Sequence, residues 1–164
     1  MVGTAHAQSV PLNIAIVDFE KVLRDAQAPQ SIKTQVNQMR TNFGAQIKAD
    51  EEALRVANQE LAQKKTLLAA DAYNAERRAF EQKVRDVQQK VQSRNIALQN
   101  AQQAALAEVQ KALSEIVLKI AEEKSYTLVL RRAQTVVVAD PFDITQEVIA
   151  NLNAKLPTVN VVVQ

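Results

Sequence analysis

The feature that most constrains this sequence is a long span that contains no proline. Prolines occur at positions 29 and 141, and the only glycine between them is Gly44. In a helix interior proline costs about 3 kcal/mol and glycine about 1 kcal/mol, so the span is almost free of residues that interrupt helices. Ala, Gln, Lys, Arg, Glu and Leu fill most of it. Residues 30–124 are therefore predicted to be helical.

Larger apolar residues recur through this span at helical spacing. They form a narrow stripe, which is typical of the seam of a coiled coil and not of the broad apolar face of a globular helix. A break is predicted near residues 68–73, with Asp71 as the N-cap of a second helix that starts at Ala72. The stripe consists of Ile32, Val36, Met39, Phe43, Ile47, Leu54, Leu61, Leu68, Phe80, Val84, Val87, Val91, Leu98, Ala105, Leu106, Val109, Leu113, Ile116 and Ile120.

The predicted helices are too long for a compact globule. Two helices of about 45–50 residues would each be about 70 Å long. A globule of this chain length would be only about 40 Å across. The sequence therefore predicts that residues 31–124 form a long antiparallel helical hairpin, with its tip near residues 69–73, that projects from a smaller body.

Short strands and helices are predicted on both sides of the hairpin. Before it, residues 12–17 read as a strand, Asp18 as the cap of a helix over Phe19–Asp25, and Pro29 as the end of that helix. After it, residues 126–130 and 135–139 read as two strands joined by a turn at residues 131–134. Residues 143–146 have the form of a capping box that opens a helix ending near Lys155. Residues 159–163 are a terminal strand or a loose apolar tail.

These patterns predict an α+β fold in which the hairpin is inserted between strands of a small β-rich body. The body combines residues 8–30 with residues 125–164, while residues 1–7, which contain Ala5-His6-Ala7, read as the remnant of a signal peptide. A body of this size buries little apolar surface and exposes β-branched edges, so a closed homo-oligomer is expected. The residues assigned to the oligomeric body are Ile14, Ile16, Leu128, Leu130, Val136 and Val138.

The charge of the chain is concentrated in the distal part of the helical span. The net charge is +2 overall. Residues 64–94 alone hold eight bases and four acids, and a field of that sign attracts anionic partners. The alternative is an ordinary solvated helix surface. The candidate client-binding residues are Lys64, Lys65, Tyr73, Arg77, Arg78, Lys83 and Arg85.

Nothing in the sequence indicates catalysis. There is no cysteine, and the only histidine, His6, lies in the presumed signal remnant. Asp18, Asp140 and Asp143 occupy cap and turn positions without a nucleophile, a glycine-rich phosphate loop or metal-ligand spacing nearby. We therefore expect neither an enzyme nor a cofactor or metal site.

The order of motifs around the helical span closely resembles the Skp/OmpH family of periplasmic chaperones, over about residues 13–156. That resemblance implies a homotrimer with a β-rich body and three helical tentacles. The cage between the tentacles holds unfolded outer-membrane proteins after export and prevents their aggregation, without ATP. Residues 156–164 extend past the usual end of the family's last helix. The motifs are Ile16-Val17-Asp18-Phe19-Glu20-Lys21-Val22-Leu23, Tyr-x-Leu-Val-Leu at 126–130, Val-Val-Val-Ala-Asp-Pro at 136–141, Asp-Ile-Thr-Gln-Glu-Val-Ile at 143–149 and Leu-Asn at 152–153.

Other classes of protein share part of this pattern. A coiled-coil structural or scaffold protein without client binding would have the same hairpin, and a prefoldin-like cytosolic holdase would use a similar cage. A nucleic-acid partner is not expected, because two Tyr and four Phe provide no stacking platform. Anionic lipid or lipopolysaccharide is a further candidate partner. The Ala-x-Ala remnant and the terminal motifs favour the periplasm.

Overall fold

The computed structural model describes residues 11–163, so the predicted signal-peptide remnant at residues 1–7 lies outside the described part. Four helices and two strands carry most of this part, with short 3-10 turns at Arg132–Gln134 and Asp140–Phe142. The protein is thus a mostly helical α+β protein. In chain order the elements are β1 (Ile14–Val17), α1 (Phe19–Asp25), α2 (Gln27–Lys64), α3 (Ala70–Glu123), β2 (Leu128–Arg131) and α4 (Thr145–Lys155).

The chain divides into two compact units. Within the described residues, the first unit comprises residues 11–33 and 105–160, and the second comprises residues 34–104 and 161–163. The first unit contains both strands together with α1 and α4.

The sheet of the first unit consists of the two strands in parallel. Ile14 pairs with Leu128 and Val17 with Arg131, and an isolated parallel bridge joins Ile16 to Asp143 on the other side of β1. A parallel pair requires a crossover connection, which here contains both long helices. Ala15, Ile16 and Val17 are all buried. The strand predicted at the start of the chain is confirmed, and it pairs with the strand that follows α3.

The core of the first unit forms where α1 and α4 pack together beside β1. Its most completely buried large side chains come from every layer of the unit and are aliphatic, so their burial supplies the main stabilising free energy. These side chains are Val17, Val22, Ile32, Val109, Leu113, Val148 and Leu152.

Both ends of α1 agree with the sequence prediction of a helix over Phe19–Asp25, but the role predicted for Pro29 does not. The side chain of Asp18 accepts a hydrogen bond from the backbone N–H of Lys21 at 2.8 Å, which caps the helix. The helix then ends at Asp25, before Pro29 is reached. The prediction that Pro29 stops this helix was wrong. Pro29 lies in the first turn of α2, where proline is tolerated because that N–H has no intrahelical acceptor.

The chain leaves α3 through a turn that ties it to the residues before β1. Ser125 has a left-handed backbone, with φ of 57°, and the N–H of Tyr126 reaches back to the carbonyl of Ala121 at 2.8 Å. The side-chain amide of Asn13 donates to the carbonyls of Lys124 and Ser125, both at 3.1 Å. The carbonyls just after α3 thereby receive hydrogen bonds from Asn13, the residue before β1.

The start of α4 differs from the predicted capping box. The N-cap position is Ile144, whose side chain cannot accept a hydrogen bond. Asp143 acts from one residue earlier, since its Oδ1 accepts the N–H of Thr145 at 2.8 Å. Thr145 is buried, and its hydroxyl oxygen accepts the N–H of Asp18 at 2.9 Å. This contact joins Asp18, the N-cap of α1, to Thr145, the first residue of α4.

The second C-terminal strand, predicted at residues 135–139, is not formed. Thr135 and Ala139 have extended backbones, yet no strand pairs with the residues between them within the described part of the chain. The 3-10 turn at Arg132–Gln134 follows β2 in place of a hairpin loop. A valine-rich segment becomes a strand only when a neighbouring edge is available for pairing. Residues 159–163, the other candidate, form no strand either.

The second unit contains the break between the two long helices. α2 ends at Lys64, and α3 begins at Ala70, so the predicted break is confirmed. The prediction that Asp71 caps a helix starting at Ala72 was wrong. Asp71 lies inside the first turn of α3, where its charge interacts favourably with the helix dipole.

Three contacts join α2 and α3 in reverse order along the chain. The guanidinium of Arg94 lies 5.0 Å from the ring centroid of Phe43. The ammonium of Lys90 lies 2.5 Å from a carboxylate oxygen of Asp50, and that of Lys64 lies 3.0 Å from a carboxylate oxygen of Glu76. The two helices are therefore antiparallel within this unit.

The seam between α2 and α3 is thin in the second unit. Val36, Leu61, Leu98 and Ala101 are buried. Most other apolar positions on the stripe are only half-buried, including both aromatic rings: Met39, Phe43, Ile47, Leu54, Phe80, Val84, Val87 and Val91.

Replacing Thr145 by valine should destabilise the first unit. Valine keeps the methyl group of threonine and has a second methyl in place of the hydroxyl. The N–H of Asp18 therefore loses its acceptor, which costs about 1–3 kcal/mol when the group is buried. Thr145→Ser is the matched control, because it keeps the hydroxyl and loses only one methyl, at about 0.8 kcal/mol. Urea unfolding at a fixed protein concentration measures both. Equal stability of the valine variant and the wild type would contradict this assignment.

Glu115 should titrate below its ordinary pKa of 4.5, because the Lys155 ammonium donates a hydrogen bond to its carboxylate at 2.5 Å. The stabilisation is fully present above the unfolded pKa of 4.5 and is lost as pH falls through the lowered folded pKa. Lys155→Met should move the pKa of Glu115 back towards 4.5, as measured by carboxyl NMR titration. Lys119→Met, which removes a partner of Glu123 instead, should leave the pKa of Glu115 unchanged.

Candidate functional site

The surface of the second unit is the candidate site, because the predicted client-binding residues from Lys64 to Arg85 lie on it. Among the residues that the structure describes, no group of His, Cys, Asp or Glu side chains is arranged to hold a metal ion. Within residues 11–163, no helix is both long enough and apolar enough to cross a membrane.

Two of the predicted basic site residues are engaged in ion pairs. Lys64, at the end of α2, pairs with Glu76 across the helices at 3.0 Å. Arg77 pairs with Glu81 along α3 at 3.5 Å. Both pairs are solvent-exposed, so each contributes no more than about 1 kcal/mol and opens readily.

The other predicted bases have no acidic partner. Lys65, Arg78 and Lys83 are exposed and make no ion pair within the described residues, and Arg85 contacts only the side-chain oxygen of Gln82, at 2.7 Å. Arg78 and Arg85 lie seven positions apart and share one face of α3, whereas Lys83 projects from the opposite side. Lys65 lies in the connection between α2 and α3, so the four unpaired bases do not form a single patch.

The connection between α2 and α3 is apolar as well as basic. Leu67 is 79% exposed, and Leu68 is also exposed. Tyr73 is half-buried in the first turn of α3, where its N–H donates to the carbonyl of Ala69 at 2.9 Å. Sequence reasoning singled out Tyr73 but assigned Leu68 to the seam. The exposed leucine pair was therefore missed.

A groove on α3 was also missed. It has a volume of about 540 Å³ and is lined by small or polar side chains together with two exposed apolar residues, Ile96 and Val162. The signal in the sequence was the position of Ile96, which lies between the stripe residues Val91 and Leu98 and therefore points away from the seam. The other lining residues are Ser93, Ala97, Asn100, Ala101 and Ala104.

The residues predicted to build an oligomeric body differ widely in exposure. Ile16 is buried in the core of the first unit, while Ile14, Leu130 and Val138 are half-buried. Leu128 is exposed, and Val136 is 97% exposed. The neighbouring Val137 is 87% exposed. Two adjacent valines with almost no contacts form the most exposed apolar segment of the first unit.

The architecture defines a class of protein: a mostly helical α+β chain with a small parallel sheet. One strand of that sheet precedes the two long helices in the sequence, and the other follows them. The chain belongs to the OmpH-like family, since the family model described as "Outer membrane protein (OmpH-like)" matches residues 13–152. The resemblance seen in the sequence motifs is confirmed by this match. The match ends within α4, so residues 153–163 lie beyond it.

A solved structure has the same fold. It is described as a proposed outer membrane chaperone (OmpH-like) from Caulobacter crescentus CB15. It superposes with a TM-score of 0.84 and covers 98% of this chain and 95% of its own, at 19% sequence identity. At that identity the likeness establishes the fold alone. Comparison with curated proteins gives no match.

Proposed function

We propose that this protein is a periplasmic, ATP-independent holdase that binds unfolded outer-membrane proteins and prevents their aggregation. Membership of the OmpH-like family supports a role with outer-membrane proteins, and the solved relative is itself described as a proposed outer membrane chaperone. The observation that carries the proposal is the mixed surface of the second unit, in which unpaired bases and exposed apolar side chains alternate around two antiparallel helices.

Such a surface suits a holdase. An unfolded client must be bound at many weak points, so that its apolar segments are shielded and it can still be released. Lys65, Arg78, Lys83 and Arg85 provide long-range attraction for acidic segments. Val56, Leu67 and Ile96 provide small exposed apolar contacts. The half-buried seam lets the helices adjust to irregular chain segments at low cost.

Self-association completes the proposal. Among its described residues the first unit has two paired strands, and the exposed Val136 and Val137 belong to a segment with extended ends. Pairing that segment with another copy would cover its valines and remove an edge that promotes aggregation. We propose a homotrimer, as the Skp/OmpH resemblance implies, in which residues 31–124 of each copy form an antiparallel hairpin and the three hairpins enclose the client.

The alternative is a structural or scaffold protein that uses the same helices without a client. The two differ in one assay: light scattering by an unfolded outer-membrane β-barrel protein diluted from denaturant. A holdase suppresses the scattering at near-stoichiometric concentration without ATP. Scattering that is unchanged by the full-length protein would overturn the holdase proposal. Vesicles of anionic lipid, or lipopolysaccharide, added to the same assay test the second candidate partner.

Removing the unpaired bases should weaken client binding. With Lys65, Arg78, Lys83 and Arg85 all replaced by Gln, we expect an affinity loss of roughly five- to tenfold at low salt and a smaller salt dependence. Fluorescence anisotropy of a labelled unfolded barrel protein measures both quantities.

The control carries the same change in net charge in the first unit, with Arg24, Lys33, Lys111 and Lys119 replaced by Gln. Its affinity and salt dependence should stay close to those of the wild type. Equal losses in the two variants would indicate a general charge effect and would contradict a binding role for the four distal bases.

Introducing a charge into the exposed valine segment should dissociate the oligomer. Val137→Asp places an unpaired carboxylate where another chain would pair, and burying it costs several kcal/mol. Light scattering coupled to size-exclusion chromatography should show the mass fall from about three chains towards one. Val56→Asp, the same change at an exposed valine of α2, should keep the wild-type mass. A trimer that survives Val137→Asp would exclude this segment as the interface.

A further inference from the structure

The last described residues of the chain are seated on the second unit. Residues 161–163, termed the tail below, lie beyond the family match and have no regular secondary structure. Val161 is only 5% exposed. Its backbone N–H donates to the side-chain oxygen of Gln35 on α2 at 3.0 Å. The tail is thus held by burial of one aliphatic side chain and by one main-chain hydrogen bond.

The groove on α3 continues from the tail. Val162, which is 65% exposed, and Ile96, which is 51% exposed, both line it. Ala97, Ala101 and Ala104 contribute small side chains to the lining, so a polypeptide backbone can approach the helix closely. Ser93 and Asn100 add polar groups that can bond to its amides. About 540 Å³ of space with a mixed polar and apolar lining is left uncovered beside the position that Val161 occupies at Gln35, termed the seat below.

The tail itself indicates which ligand this surface accepts. From Leu156 to Val163 the chain has no charged residue, and four of its last five described residues are valines. The seat therefore takes a non-helical, uncharged, β-branched segment. The bound segment contributes a main-chain N–H and an aliphatic side chain, both of which many sequences can supply. Unfolded β-barrel strands have this chemistry, since β-branched residues are enriched in strands.

We propose that the groove on α3 and the seat at Gln35 form one binding site for a valine-rich, uncharged segment of unfolded polypeptide, and that the tail is a tethered competitor for part of it. This inference rests on the holdase function proposed above and names a specific site for its client. A tethered segment acts at an effective concentration of about millimolar. A client segment must displace it, so the tail lowers client affinity and favours release.

The site can be tested with a labelled peptide instead of a whole client. The probe is a fluorescent peptide with the core Val-Asn-Val-Val-Val between terminal lysines, and its control replaces every valine by serine. A chain ending at Asn160 should bind the valine peptide about three- to tenfold more tightly than the full-length chain, because the competitor is gone. The serine peptide should bind neither chain.

A second variant tests the groove while leaving the tail in place. Ile96→Lys should weaken binding of the valine peptide by about fivefold or more, because it places a charge in the groove. Leu118→Lys is the matched control: it introduces the same charge at another exposed apolar position of α3 that does not line the groove, and it should bind as the wild type does. A synthetic peptide of residues 158–164, added in excess to the full-length chain, should compete with the probe, and this arm does not depend on truncation.

The outcomes separate the site from the general function. Unchanged or weaker peptide binding by the truncated chain, with native helicity by circular dichroism, overturns the competitor role. Equal effects of the Ile96 and Leu118 changes overturn the assignment of the groove as the binding site. If the full-length protein fails to suppress aggregation of an unfolded barrel yet the peptide results are as expected, the site stands and the holdase proposal falls.

Discussion

The fold of the first unit depends on one backbone ladder. β1 and β2 are only four residues long each, yet their parallel pairing joins Ile14–Val17 to Leu128–Arg131 across almost the whole sequence. The polar contacts around the ladder fix its register. Asn13 bonds to the end of α3, and Thr145 bonds to the residue after β1. A shift of β1 by one residue would break both contacts and turn its buried side chains to the opposite face.

The second unit is stabilised differently, and the difference bears on function. Its helices share a seam in which few side chains are fully buried and cross-helix ion pairs lie at the surface. A seam of this kind holds two helices together without a dense core. It leaves Val56, Leu67 and Ile96 exposed on the outside, where they are accessible to a partner.

Sequence reasoning was most accurate where the physics is local. The absence of helix breakers located the two long helices and the break between them, and Asp18 was identified as a cap because its role depends on the next three residues. Errors arose where the outcome depends on distant partners. Residues 135–139 have strong strand propensity but no neighbouring edge in a single chain. Asp143 accepts the N–H of Thr145 from one residue before the N-cap, because its own backbone is bridged to Ile16.

The same distinction applies to the candidate site. The basic residues could be found by counting charges. Which of them form ion pairs depends on which side chains face each other: Lys64 and Arg77 have an acidic partner, whereas Lys65, Arg78 and Lys83 have none among the described residues. The groove could not be predicted, because it requires the end of the chain to meet α3. Only Ile96, an apolar residue placed away from the stripe, gave any sign of it.

The parallel pairing of β1 with β2 also has a consequence for the order of events during synthesis. The first strand leaves the ribosome long before its partner exists, since both long helices are made between them. Helical turns form quickly from local contacts, whereas this ladder has to wait for loop closure over more than a hundred residues. The segment Ile14–Val17 is therefore itself an unpaired apolar strand until the residues of β2 have been made.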